Sequence, residues 1–119
     1  LFLEVFKSNK DRFITECEQR FTSVVVSPTT YYHSKKNVCW IIHATNTTET
    51  ISFDGWDEED AIKFICENVD YNCIGDLCMG RGLVGFHANK AGKSFVGTEI
   101  NKKRLAVLLD GIETGKHKY

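Results

Sequence analysis

The stretch that most limits the fold runs from Ile74 to Asn101, IGDLCMGRGLVGFHANKAGKSFVGTEIN: two short apolar runs, each leading to an acid, with a helical pattern between them. The first passes through Asp76 into Gly80 and Gly82, and the second ends at Glu99. Glycines directly after an apolar run permit positive φ and stop an extended chain. The pattern predicts a strand over 73–77, a glycine turn, a helix over 83–91 and a strand over 94–99. Asn101 then caps a helix carrying Leu105, Leu108, Leu109 and Ile112, which ends between Gly111 and Gly115. Strand, helix, strand and helix in this order require a parallel crossover, so the segment belongs to an α/β sheet.

Upstream, LFLEVF reads as a short interior strand, and NKDRFITECEQRF as a helix with Phe13, Ile14, Cys17 and Phe21 on one face and Ser8 or Asn9 as cap. TSVVVSP and NVCWIIHATN are β-branched and aromatic runs joined by the polar TTYYHSKK, which predicts an antiparallel hairpin. After the polar connector TNTTETISFDG, the helix WDEEDAIKFICENV opens with acids that suit the positive end of its dipole, with Asp57 as cap. The tail GKHKY is expected to fray.

With 119 residues the chain is one domain at most, and its single proline and lack of repeats leave no internal linker. We divide it into a strand–helix–hairpin part, 1–46, and a part comprising the acid-led helix and the βαβα unit, 56–115. A hydrophobic fraction of 42% and a charged fraction of 26% are those of an ordinary globular protein. Net charge is −1, so no global positive field advertises nucleic acid; Lys102, Lys103 and Arg104 read as a solvated helix face. No run is long enough to span a bilayer, and the start is too polar for a secretory signal, so a cytoplasmic protein is expected. The five cysteines lack a repeated CxxC and read as buried reduced thiols. His43 and His87 fall in different elements, and no metal site is expected. A chain starting at Leu1 without methionine suggests processing or a missing upstream segment.

The loop leaving the first strand of a βαβ unit sits where open α/β sheets bind ligands, and the following helix aims its free N–H groups at the same space. Gly80 and Gly82 let a ligand approach the backbone. Glu99 lies about 20 residues beyond Gly80, the offset at which an acid accepts ribose hydroxyls. The ligand is therefore nucleoside-like. GRGLVG satisfies the dinucleotide pattern G-x-G-x-x-G, but Asp76 before the turn would repel a pyrophosphate and suits a ligand with an ammonium group.

On these residues, GDLCMGRGLVGFHANKAGKSFVGTEIN resembles the cofactor motif of DNA amino-methyltransferases acting on N6 of adenine or N4 of cytosine, which reads roughly D-P-F-x-G-S-G-T before a strand ending G-x-E. The resemblance implies a Rossmann-like methyltransferase sheet, mixed and mostly parallel with an antiparallel hairpin, flanked by helices and either whole or incomplete here. It implies S-adenosylmethionine as cofactor: Asp76 facing the methionine amino end, Cys78 to Gly82 forming the loop beneath it, and Glu99 holding the ribose. WDEEDAIKFICENV resembles the helix before this motif in circularly permuted members, where the preceding segment helps seat the cofactor, making Phe53 and Trp56 candidates. The first half matches those members by element order, with little motif identity.

The chain departs from the pattern at Leu77, where the family has proline, and at Arg81, Leu83 and Val84, where it has small or hydroxyl residues. Arg81 is expected to point away from a cationic cofactor. The catalytic motif D/N/S-P-P-Y/F/W is missing. SPTTYY, Ser27 to Tyr32, has one proline and the wrong spacing, and Tyr31 and Tyr32 read as exposed loop residues rather than base-stacking platforms. In the permuted order that motif would lie upstream of Leu1 or on a partner polypeptide. The expected function is the S-adenosylmethionine-binding portion of a nucleic-acid amino-methyltransferase, with DNA as substrate. The alternatives are a non-catalytic S-adenosylmethionine-binding subunit and an NAD-binding module.

Overall fold

A computed structural model of the chain describes residues 1–31 and 34–116. Tyr32 and the last three residues of the GKHKY tail lie outside the described residues. The chain forms two compact units, Leu1–Ala61 and Ile62–Tyr119.

In the first unit, β1 (Phe2–Val5), β2 (Ser23–Thr30) and β3 (Val38–Thr45) form an antiparallel sheet in the order β1-β3-β2, and α1 (Lys10–Arg20) connects β1 to β2. The expected hairpin is β2–β3, with Ser23 opposite Thr45 and Thr30 opposite Val38. LFLEVF is not interior to this sheet: β3 is central, because VCWIIHAT is the run that stays mostly buried on both faces. The alternation of the pleat sends Leu3, Val5, Trp40, Ile42, Ala44, Val24 and Val26 to the face that packs with Ile14, Cys17 and Phe21.

The opposite face carries Phe2, Glu4, Ile41, His43, Cys39, Ser27 and Thr29, and the connector 51–57 is hydrogen-bonded to it. Ser27 Oγ accepts from Phe53 N–H at 2.8 Å and His43 Nδ1 from Ile51 N–H at 3.0 Å. Burial holds His43 below the usual imidazole range, the direction that suits a ring nitrogen accepting that bond. SPTTYY is thus strand through Thr30, and its lone proline is tolerated because β2 is an edge of this sheet.

Asn9 occupies the N-cap position of α1, but its Oδ1 accepts from Phe6 N–H at 3.2 Å instead of from the helix. The Asn9 and Lys10 amides both return to the Phe6 carbonyl, so this side chain closes the turn out of β1. Asp57 behaves as expected, accepting from Glu59 N–H at 2.9 Å at the start of α2 (Glu58–Asn68), while its other oxygen pairs with Lys35.

The second unit contains the expected βαβα order: β4 (Cys73–Asp76), α3 (Leu83–Lys90), β5 (Ser94–Gly97) and α4 (Lys102–Thr114), with β4 and β5 parallel. A Cβ on Gly85 would lie 2.9 Å from the Phe95 ring, so glycine here lets α3 approach β5. Asn101 caps α4 through Oδ1, which accepts from Lys103 N–H at 3.0 Å and Arg104 N–H at 3.3 Å. Gly115, at φ 70°, ends it. Asn101→Ala is expected to lower stability by about 1 kcal/mol in urea unfolding, and no change would show that the cap contributes nothing.

Cys17, Cys39 and Cys66 are buried, whereas Cys73 and Cys78 are exposed, a correction to the expectation of buried thiols throughout. The apolar neighbours of Cys73 belong to a four-residue strand whose alternation leaves that position outward. No described helix is long and apolar enough to cross a membrane.

Candidate functional site

The turn after β4 is laced to the end of β5. Thr98 N–H donates to the Asp76 carbonyl and Met79 N–H to the Thr98 carbonyl, both at 3.0 Å; the Thr98 hydroxyl donates to the Leu77 carbonyl. Gly82 N–H then closes on the Met79 carbonyl at 2.8 Å. These backbone bonds hold the path of 77–82, which explains why Leu77 is tolerated at 85% exposure where the resembling motif has proline.

The two acids predicted to flank the turn both reach it. Asp76 Oδ1 accepts from Cys78 N–H at 3.1 Å. Glu99 Oε1 accepts from Gly80 N–H at 2.8 Å, and its Oε2 from Asn101 N–H at 2.8 Å. On the turn, the carboxylates thus hold amides only two residues apart in the chain. Sequence reasoning missed this bridging role of Glu99, because an acid at a strand end carries no mark of which amides will face it. The Asn101 amide, with the Gly80 amide beside it, holds the Glu99 carboxyl below the usual carboxylate range.

A group whose folded pKa is depressed stabilises the fold above its unfolded pKa and loses that contribution as pH falls through the folded value. The Gly80 and Asn101 amide resonances are therefore expected to titrate together below the ordinary carboxylate range, and to stop doing so in Glu99→Gln. Titration at the ordinary value, or of one amide alone, would contradict the bridge.

The glycines divide the work. Gly80, at φ 55°, has open space where a Cβ would stand, so a ligand can meet the backbone there. Gly82, at φ 86°, has its Cβ position filled by the Leu108 side chain, so glycine there serves backbone conformation and helix packing. Cys78 is exposed, and Asp76 and Glu99 are half-buried.

In the first unit, Phe53 is 1% exposed and packs edge-on against Trp56 at 5.4 Å and tilted against Phe2 at 6.5 Å. Trp56 is 39% exposed, so of this aromatic pair it is the one that presents ring surface to solvent.

The turn has the groups a cofactor with an ammonium and vicinal hydroxyls requires. Asp76 gives one oxygen to the Cys78 amide, and the two Glu99 oxygens take the Gly80 and Asn101 amides, while an ionised carboxylate has about four acceptor sites. A hollow of about 570 Å³ in the second unit lies elsewhere, among α3, β5 and α4. It shares only Arg81 and Gly82 with the turn, and no acid lines it. Two of its lysines sit over rings, Lys90 on Phe86 at 4.6 Å and Lys93 on Tyr71 at 5.4 Å. The hollow is lined by basic side chains and no carboxylate, whereas the turn presents two carboxylates.

Element order, the parallel β4–β5 pair and the glycine turn are those of a Rossmann-like α/β fold. The chain is similar to the crystal structure of M1.HpyAVI, a DNA methyltransferase, with a TM-score of 0.61 and 10% sequence identity over 93% of this chain and 72% of that one. At that identity the similarity is one of fold. No protein-family model and no curated protein matches the chain.

Proposed function

We propose that this chain is the S-adenosylmethionine-binding portion of a cytoplasmic nucleic-acid amino-methyltransferase, with DNA as the methyl acceptor. The observation that carries the reading is the convergence of Asp76 and Glu99 on the Cys78–Gly80 backbone, in a methyltransferase-like fold. When bound, the cofactor supplies a methyl group on a sulfonium, open to direct attack by an exocyclic amine.

Asp76 takes the ammonium of the methionine moiety, a charge-assisted bond that a dinucleotide pyrophosphate would turn into repulsion. Glu99 accepts the ribose hydroxyls on its remaining lone pairs while keeping the loop closed through Gly80. Cys78 and Gly80 supply backbone in close approach, and Gly82 directs α3. The catalytic proline-proline-aromatic motif is supplied from upstream sequence or a partner polypeptide.

Calorimetric titration with S-adenosylhomocysteine and with NAD tests the reading. Binding of the first with no heat from the second is expected; tight NAD binding would overturn it. Adding an upstream polypeptide that carries the catalytic motif and assaying methyl transfer to DNA then separates an enzyme portion, which gains activity, from a non-catalytic binding subunit, which does not.

A further inference from the structure

Three donor groups from distant parts of the first unit meet on the polar face of its sheet: the Glu4 carboxylate on β1, the Cys39 thiol on β3 and the Glu58 carboxyl at the first residue of α2. Their ligand atoms lie within 4.8 Å of one another. Cys39 and Glu58 are both 0% exposed. Cys39 Sγ is 3.2 Å from Glu58 Oε2, and Thr29 Oγ1 is 3.1 Å from the same sulfur. Glu58 Oε1 is buried and meets no hydrogen-bond partner among the described residues. The site therefore has a fully buried side chain with an orphaned oxygen, in addition to a second acid and a sulfur.

A buried carboxylate beside another needs a positive charge or a proton between them. The Lys35 ammonium is paired with Asp57. We propose that Glu4, Cys39 and Glu58 hold a zinc ion that fixes the first turn of α2 to the three-stranded sheet. One sulfur with two carboxylate oxygens favours zinc over magnesium or calcium, which take oxygen alone. Tetrahedral zinc needs bonds of about 2.0 to 2.3 Å, so the donors must draw slightly closer on binding. Glu4 is exposed and gives the ion a route in. Thr29 orients the sulfur from behind, as outer groups of metal sites do. On binding, the thiol and the protonated carboxyl release their protons to solvent, and the Zn–S and Zn–O bonds replace S–H and O–H. No spacing in the sequence announces this site, because its donors at 4, 39 and 58 come from three separate elements.

Chelator-stripped protein titrated with Zn²⁺ against a chromophoric competitor is expected to take up one ion per chain with release of protons and a rise in Tm. Cobalt in its place should show a thiolate charge-transfer band. Cys39→Ser should remove the band and weaken zinc by more than 100-fold, and Glu58→Gln by more than tenfold, whereas Cys73→Ser/Cys78→Ser should retain both properties. X-ray absorption on the wild-type zinc protein, which requires no variant to fold, should find one sulfur among oxygen donors. Absence of stoichiometric uptake would mean that the carboxyls share a proton only. That result, uptake indifferent to Cys39, or a shell without sulfur would overturn the proposal.

Discussion

Gly82→Ala should destabilise the second unit by about 2–3 kcal/mol. A left-handed backbone costs a residue with a Cβ about 1–2 kcal/mol, and forcing a group into filled space typically adds about 1–3 kcal/mol. Both apply at Gly82, where φ is 86° and the Leu108 side chain occupies the space a methyl would take; the atom met is the movable end of that half-buried side chain, so the packing part lies at the low end of its range. Set against a typical domain stability of about 5–15 kcal/mol, this is a severe lesion. Gly80→Ala is the instructive contrast. It meets the backbone penalty alone, because no atom lies within 4 Å of the place its new methyl would occupy. It should lose only about 1–2 kcal/mol of stability while abolishing close ligand approach. Guanidinium unfolding followed by the helical circular dichroism signal measures both, and equal losses at the two positions would show that Leu108 does not constrain Gly82. Gly82→Ala/Leu108→Ala should recover part of the loss, since that second change opens the filled space.

Asp76→Ala should weaken S-adenosylhomocysteine binding about 100-fold, with little change in stability. Hydrogen bonds to charged groups contribute about 1.5–3 kcal/mol, and each 1.4 kcal/mol is a factor of ten in affinity. The side chain also accepts from Cys78 N–H, so alanine removes a loop contact together with the charge. Asp76→Asn separates the two effects: it retains an acceptor for that amide and lacks the negative charge. If the ammonium contact dominates, asparagine should bind almost as weakly as alanine. If the loop contact dominates, asparagine should bind almost as well as wild type. Added salt should narrow the gap between wild type and Asp76→Asn, because the contact is half-exposed and screened.

What can be read from the residues is what repeats along a local period or breaks it. The β4–α3–β5–α4 order follows from Gly80, Gly82 and the apolar runs around them, and the caps Asp57 and Asn101 are legible because a short polar side chain before a helical pattern has few other uses. Asn9 fits the same rule and fails it, since the Phe6 amide lies within reach and takes its oxygen. LFLEVF reads as interior because composition reports burial and not neighbours; its place at the edge of the three-stranded sheet is set by β3 pairing on both sides.

In the site, the positions of Asp76 and Glu99 are legible, and their partners are not. That Glu99 ties Gly80 to Asn101 depends on where two amides point after the chain has turned. That Gly82 is required by Leu108 depends on the packing of α4, a helix that lies beyond the whole of α3 and β5 in the chain. Glu58 shows the same limit: in sequence it is one of a run of acids at a helix start, and only the fold buries it against Cys39.

The central claim is that the Asp76–Gly82 turn and Glu99 form the cofactor seat. It is tested most directly by following the backbone amides of the ¹⁵N-labelled chain by NMR during titration with S-adenosylhomocysteine. The largest, saturable shifts should fall at Cys78, Gly80 and Asn101, the amides that Asp76 and Glu99 hold. Saturable shifts centred instead on Lys90, Lys93 and Phe95, around the hollow among α3, β5 and α4, with those three amides unmoved, would contradict it.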